Sequence, residues 1–147
     1  MRIAFFALIT GGGLAVLALP ASALQPAGCA ASIRAEADAE SFATAGRGGD
    51  TAALAGSTGA NFAAAAQRLC AAGTIRAAEL ASFTALVVRN AEGTADPVVY
   101  DDPEQGDGNI ILEYAFADGS APSEASLSTA IRCWRRPESA GCDQGGD

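Results

Sequence analysis

Four cysteines, at positions 29, 70, 133 and 142, constrain this chain more than any other feature. Their weight comes from what surrounds them. Half of the 147 residues are hydrophobic, but much of that share is alanine, and the large apolar side chains are few. A chain so composed builds a thin core and gains from covalent cross-links. Four cysteines with no C-x-x-C spacing, in a sequence without histidine, read as two structural bridges, not as a redox pair or a zinc site.

Bridges need an oxidising compartment, and the amino terminus supplies a route to one. Arg2 precedes an apolar run from Ile3 to Leu19, Pro20 breaks it, and Ala21-Ser22-Ala23 offers the small side chains that signal peptidase accepts. Residues 1–23 are therefore expected to be a cleaved signal peptide, with the mature protein starting at Leu24 in a secreted or periplasmic location. The run is at or below the roughly 18 to 20 residues of a spanning helix and lacks a charged flank, so no integral membrane segment is expected after cleavage. Pro26-Ala27-Gly28-Cys29 offers a lipidation alternative, but Pro26 is a poor fit three places ahead of the cysteine and acylation would leave three thiols to pair.

Nine Arg and no Lys against 17 acids give a net charge of -8, and loss of Arg2 with the signal takes the remainder to 8 minus 17, or -9. Nucleic acid and anionic lipid are disfavoured partners for so acidic a surface. A basic exported protein is a suitable one.

Residues 24–143 are expected to form one small α+β domain, with 144–147 a disordered tail. Ala30–Ala45 has a helical stripe at Ala31, Ala35, Ala39 and Phe42, ended by the Gly46–Gly49 region, and Asp50 or Thr51 can cap the next helical segment. A second stripe runs through Leu54, Thr58, Phe62, Ala65 and Leu69, interrupted by Gly56 and Gly59, so a helix is firmly expected only over Asn61–Ala71. Thr74 can cap a short third helix over Ile75–Thr84, with Leu80 and Phe83 inward. Next come β-type runs at Leu86–Val88, Val98–Tyr100 and Asn109–Phe116, separated by turn residues that suggest a small antiparallel meander. The stretch Ser120–Glu124 reads as the start of a carboxy-terminal helix, with Pro tolerated and Glu favoured in its first turn, and Leu127, Ile131 and Trp134 lie on one face of that helix. If the first two helices form a hairpin, Cys29 meets Cys70 at one end, leaving Cys133 to pair with Cys142 across a short Pro-containing loop.

The absence of His and Lys removes Ser-His-acid, Cys-His and Schiff-base mechanisms, and no motif calls for a cofactor. Carboxylate chemistry of the glycosidase kind survives, with Glu113 the candidate acid on the less apolar face of its strand; its bland alternative is a solvated sheet face. Asp101, Asp102, Glu104 and Asp107 invite a calcium reading, but Gly106 and Asp107 are out of register with an EF-hand, which favours a plain hairpin loop. Arg132, Arg135 and Arg136 surround Trp134 as a candidate partner-binding cluster, although arginines in a last helical turn also simply complement the dipole. The expectation is a non-catalytic exported module that binds a protein or is associated with the envelope, with a carboxylate-dependent glycan hydrolase and a weak calcium-binding module as alternatives.

Overall fold

A computed structural model describes residues 28–45 and 49–142. The expected signal peptide over residues 1–23 and the expected tail 144–147 lie outside the described residues. The elements are β1 (Arg34–Ala37), α1 (Ala39–Thr44), α2 (Thr51–Ala71), α3 (Ala77–Ser82), β2 (Ala85–Asn90), β3 (Val98–Asp101), β4 (Asn109–Tyr114) and α4 (Glu124–Arg135). This is an α+β arrangement with a mixed four-stranded sheet in the order β1-β2-β4-β3.

The sheet corrects the expected meander. β1 runs parallel to β2 and β2 parallel to β4, while only β3 is antiparallel, against β4. After β2 the chain crosses the end of β4's place, descends as β3 and returns as β4 between the two. Ala91 N–H donates to Tyr114 O at 3.1 Å and Ala115 N–H to Thr94 O at 3.0 Å, which pins the crossing 91–97 segment over the end of β4.

The expected helix over 30–45 is also corrected, because β1 occupies its middle and only α1 remains helical. Period-two alternation explains the outcome. Ile33, Ala35 and Ala37 pack against the core while Arg34 and Glu36 are exposed, so β2's free edge finds a matching strand despite the good helix propensity of Ala and Glu. Asp38 then caps α1, its Oδ1 accepting from Glu40 N–H at 3.1 Å and Ser41 N–H at 3.3 Å.

α2 runs unbroken through both glycines from an Asp50 cap that accepts from Ala53 N–H at 2.9 Å. Gly59 is there because of β1: a Cβ at that position would collide with the Cβ of Ala35. The intrinsic cost of about 1 kcal/mol for a helical glycine is thus offset by close strand–helix packing. α3 starts at Ala77, not Ile75, with Arg76 as its cap residue, and β4 ends at Tyr114, two residues short of expectation.

Helices α2 and α4 cover one face of the sheet. Leu86 and Val88 of β2, Ile110 and Leu112 of β4 and Val99 of β3 meet Phe62, Ala65 and Ala66 of α2 and Leu127 and Ile131 of α4 there. Each fully buried large side chain contributes about 1.5–3 kcal/mol relative to exposure. Asn61 Nδ2 donates to Pro122 O at 3.0 Å, which fixes the entry of α4, where Ser123 caps through a hydrogen bond from Ser126 N–H.

Both expected bridges are present, Cys29–Cys70 with a Cα separation of 5.7 Å and Cys133–Cys142 with 5.1 Å. The helix-hairpin rationale for the first does not hold. Cys29 belongs to the lead-in to β1, and because α2 packs along β1 the end of the helix meets the start of the strand. Among the described residues no helix is long and apolar enough to cross a membrane.

Candidate functional site

The sheet face opposite α2 and α4 holds the residues with chemical potential. Alternation along each strand puts Arg34 and Glu36 of β1, Val87 and Arg89 of β2, Ile111 and Glu113 of β4 and Val98 and Tyr100 of β3 on this side. Ile111 is buried, yet it stands apart from the main core cluster, roofed by its neighbours on this second face.

Register brings Arg89 opposite Glu113, and Glu113 opposite Val98. Tyr100 reaches diagonally across to donate its hydroxyl to Glu113 Oε1 at 2.6 Å. Arg89 Nε donates to Asp38 Oδ2 at 2.9 Å, an ion pair whose two side chains are partly shielded. The result is a row, Asp38–Arg89–Tyr100–Glu113, in which each charged group is hydrogen-bonded to another member.

The row shifts two of its members. Burial, then the hydrogen bond to the Glu113 carboxylate, holds the Tyr100 phenol above its ordinary range, while Arg89 partly offsets them. For Arg89 burial acts against the charge, but bonds to Tyr100 and Asp38 outweigh it and the guanidinium is held more firmly protonated than usual. Ultraviolet titration checks this directly. Glu113→Gln is expected to bring Tyr100 ionisation to lower pH, because the variant removes the negative charge beside the phenol while keeping an acceptor. An unchanged midpoint would mean that the 2.6 Å contact does not persist in solution.

The calcium candidates are dispersed into other tasks. Asp102 is buried and organises its own loop, Oδ1 accepting from Glu104 N–H at 2.8 Å and Gln105 N–H at 3.1 Å. Asp101 faces the other way, accepting from Trp134 Nε1 at 3.2 Å and pairing with Arg135 at 3.8 Å. Glu104 and Asp107 are exposed on the loop. Among the described residues no group of three or more Asp, Glu, Cys or His side chains is placed to hold a metal ion.

The arginine cluster is similarly turned inward. The Arg135 guanidinium lies 3.6 Å from the Trp134 ring centroid and 4.9 Å from that of Phe83, and burial lowers its pKa while Asp101 partly restores it. Arg136 Nη1 donates to Arg135 O at 2.9 Å, and Arg132 is half-buried on the last turn of α4. The Trp134 and Arg135 contacts fasten α4 to β3 and to Phe83 at the end of α3.

Sequence reasoning found Glu113 and missed its partners Asp38, Arg89 and Tyr100. The alternation of Val87/Arg89 and Val98/Tyr100 carried the signal for their face, but not for the register that joins them. The chain matches no protein-family model, no curated protein and no solved structure.

Proposed function

We propose that this chain is a non-catalytic exported module that binds a partner protein with a basic surface. One observation carries the reading: the carboxylates best placed for chemistry are committed to the fold. A glycosidase needs two carboxyl groups facing a scissile bond across a gap of about 5 to 9.5 Å. Asp38, which shares the row with Glu113, uses one oxygen to cap α1 and the other to hold Arg89. Glu113 itself accepts from Tyr100. A net charge of -8 and an exposed acidic loop support attraction to a cationic surface, which sets association rate and selectivity more than raw affinity. The disulfide pair and the signal-like amino terminus support export.

The test is capture of partners from the exported fraction on immobilised protein. A protein retained at low salt and released as ionic strength rises is the expected result, and Glu113→Gln is expected to retain it within about twofold in affinity, since it removes one of 17 acids and keeps an acceptor for Tyr100. Cleavage of a cell-wall glycan that falls by orders of magnitude in the same variant would replace this reading with the hydrolase one.

A further inference from the structure

We infer that β1 is a self-recognition edge, through which two copies of this chain join their sheets antiparallel about Ala35. Among the described residues β1 is an outer strand of the sheet, with no strand on its far side. Arg34 N–H donates to Thr84 O and Asp38 N–H to Val88 O, so the even-numbered residues of the strand face β2. The alternation of a parallel ladder then turns the N–H and C=O of Ala35 and Ala37 toward the open edge. Such a row of donors and acceptors is a template for another strand.

The sequence around that edge is complementary to itself under two-fold symmetry. Pairing centred on Ala35 sets Ala35 of one copy against Ala35 of the other, exchanging two hydrogen bonds, and places Arg34 of each copy directly opposite Glu36 of its mate. Those two positions are non-hydrogen-bonded pairs, where side chains approach most closely. Both side chains are free to repartner: Arg34 and Glu36 are 76% and 54% exposed and only 3.8 Å apart as a loose pair within the strand. The isologous contact thus creates two cross-strand ion pairs at once, while a parallel or shifted register would create fewer.

The helix above the edge leaves room. A groove of about 340 Å³ runs between β1 and α2, lined by Ile33, Ala35, Gly56, Gly59, Ala60 and Ala63. Gly56 and Ala60 are exposed on the outer flank of α2, where large side chains would hold off the helix of a second copy. Joining the edges would extend the four-stranded sheet to eight strands and close off the exposed edge.

Sedimentation equilibrium of the purified, oxidised protein tests this. A dimer is expected in the micromolar range. Arg34→Glu and Glu36→Arg, taken singly, each set like charges opposite one another at both symmetric positions and are expected to weaken the dimer about tenfold or more. The double variant Arg34→Glu/Glu36→Arg restores complementarity with the signs exchanged, and should recover the dimer to within about threefold of the parent. Circular dichroism confirms that these exposed substitutions leave the fold intact. A parent protein that stays monomeric at hundreds of micromolar, single variants that dimerise like the parent, or a double variant that fails to recover would each overturn the inference.

Discussion

Replacing Cys29 and Cys70 together with serine is expected to lower the free energy of unfolding by roughly 4 kcal/mol in the loop-closure model, the larger of the two disulfide effects. The bridge closes a loop with a sequence separation of 41 that contains β1, α1 and nearly all of α2. Its position adds to its length. β1 is an outer strand of four residues whose core-facing side chains are alanines, so its own burial holds it weakly, and the Cys29 sulfur ties its lead-in to the end of α2. The Cys133–Cys142 bridge, with a separation of 9, constrains the unfolded chain less and is worth about 3 kcal/mol in the same model. Denaturant titration of the two double-serine variants gives the comparison. A Cys29/Cys70 variant no less stable than the Cys133/Cys142 variant would show that loop closure does not govern the stability of this fold.

Phe116→Ala is the second large effect, expected to cost about 3–5 kcal/mol. The side chain is fully buried, with ring centroids 5.3 Å from Phe42 on α1 and 5.0 Å from Tyr114 on β4. Its N–H also donates to Asn90 Oδ1 at 3.2 Å, which ties the segment after β4 to the end of β2. Truncation therefore opens a cavity where three elements converge. Glu104→Ala, on the exposed loop, serves as the control and should stay within about 0.5 kcal/mol of the parent. Equal midpoints for Phe116→Ala and that control in thermal unfolding would contradict the packing described for Phe116.

The residues themselves carried mostly local information, and register was mostly beyond them. The α4 stripe of Leu127, Ile131 and Trp134 was legible because a strongly periodic face needs no knowledge of its partner. The β4 alternation showed which residues turn inward, including Phe116, but nothing in it distinguishes a parallel neighbour from an antiparallel one. Residues 34–37 carry both a helical stripe and a period-two pattern, and the free edge of β2 decided between them. Gly59 argued against a helix in isolation and is explained only by Ala35 lying against it. At the candidate site the same division holds: Glu113 stood out as a carboxylate on a mixed strand face, whereas its contact with Tyr100 depends on a diagonal across β3 and β4. Asp38 was hidden because its segment read as helix interior, where it actually caps a helix and grips Arg89.

The route of the chain across the end of β4 has a consequence for how the molecule assembles. β4 enters the sheet between β2 and β3, both of which precede it in sequence. The central slot is therefore filled last in chain order, and until residue 114 has been made β2 has no neighbour on that side. The segment that fills it, Ile110-Ile111-Leu112, becomes completely enclosed once seated. Parallel pairing of β1 with β2 likewise waits on the whole α1–α3 crossover. A nascent chain of this design gains few sheet contacts early and most of them together, a route rich in non-local pairing that favours folding after the full chain is available and seats β4 between two neighbours and not at an edge.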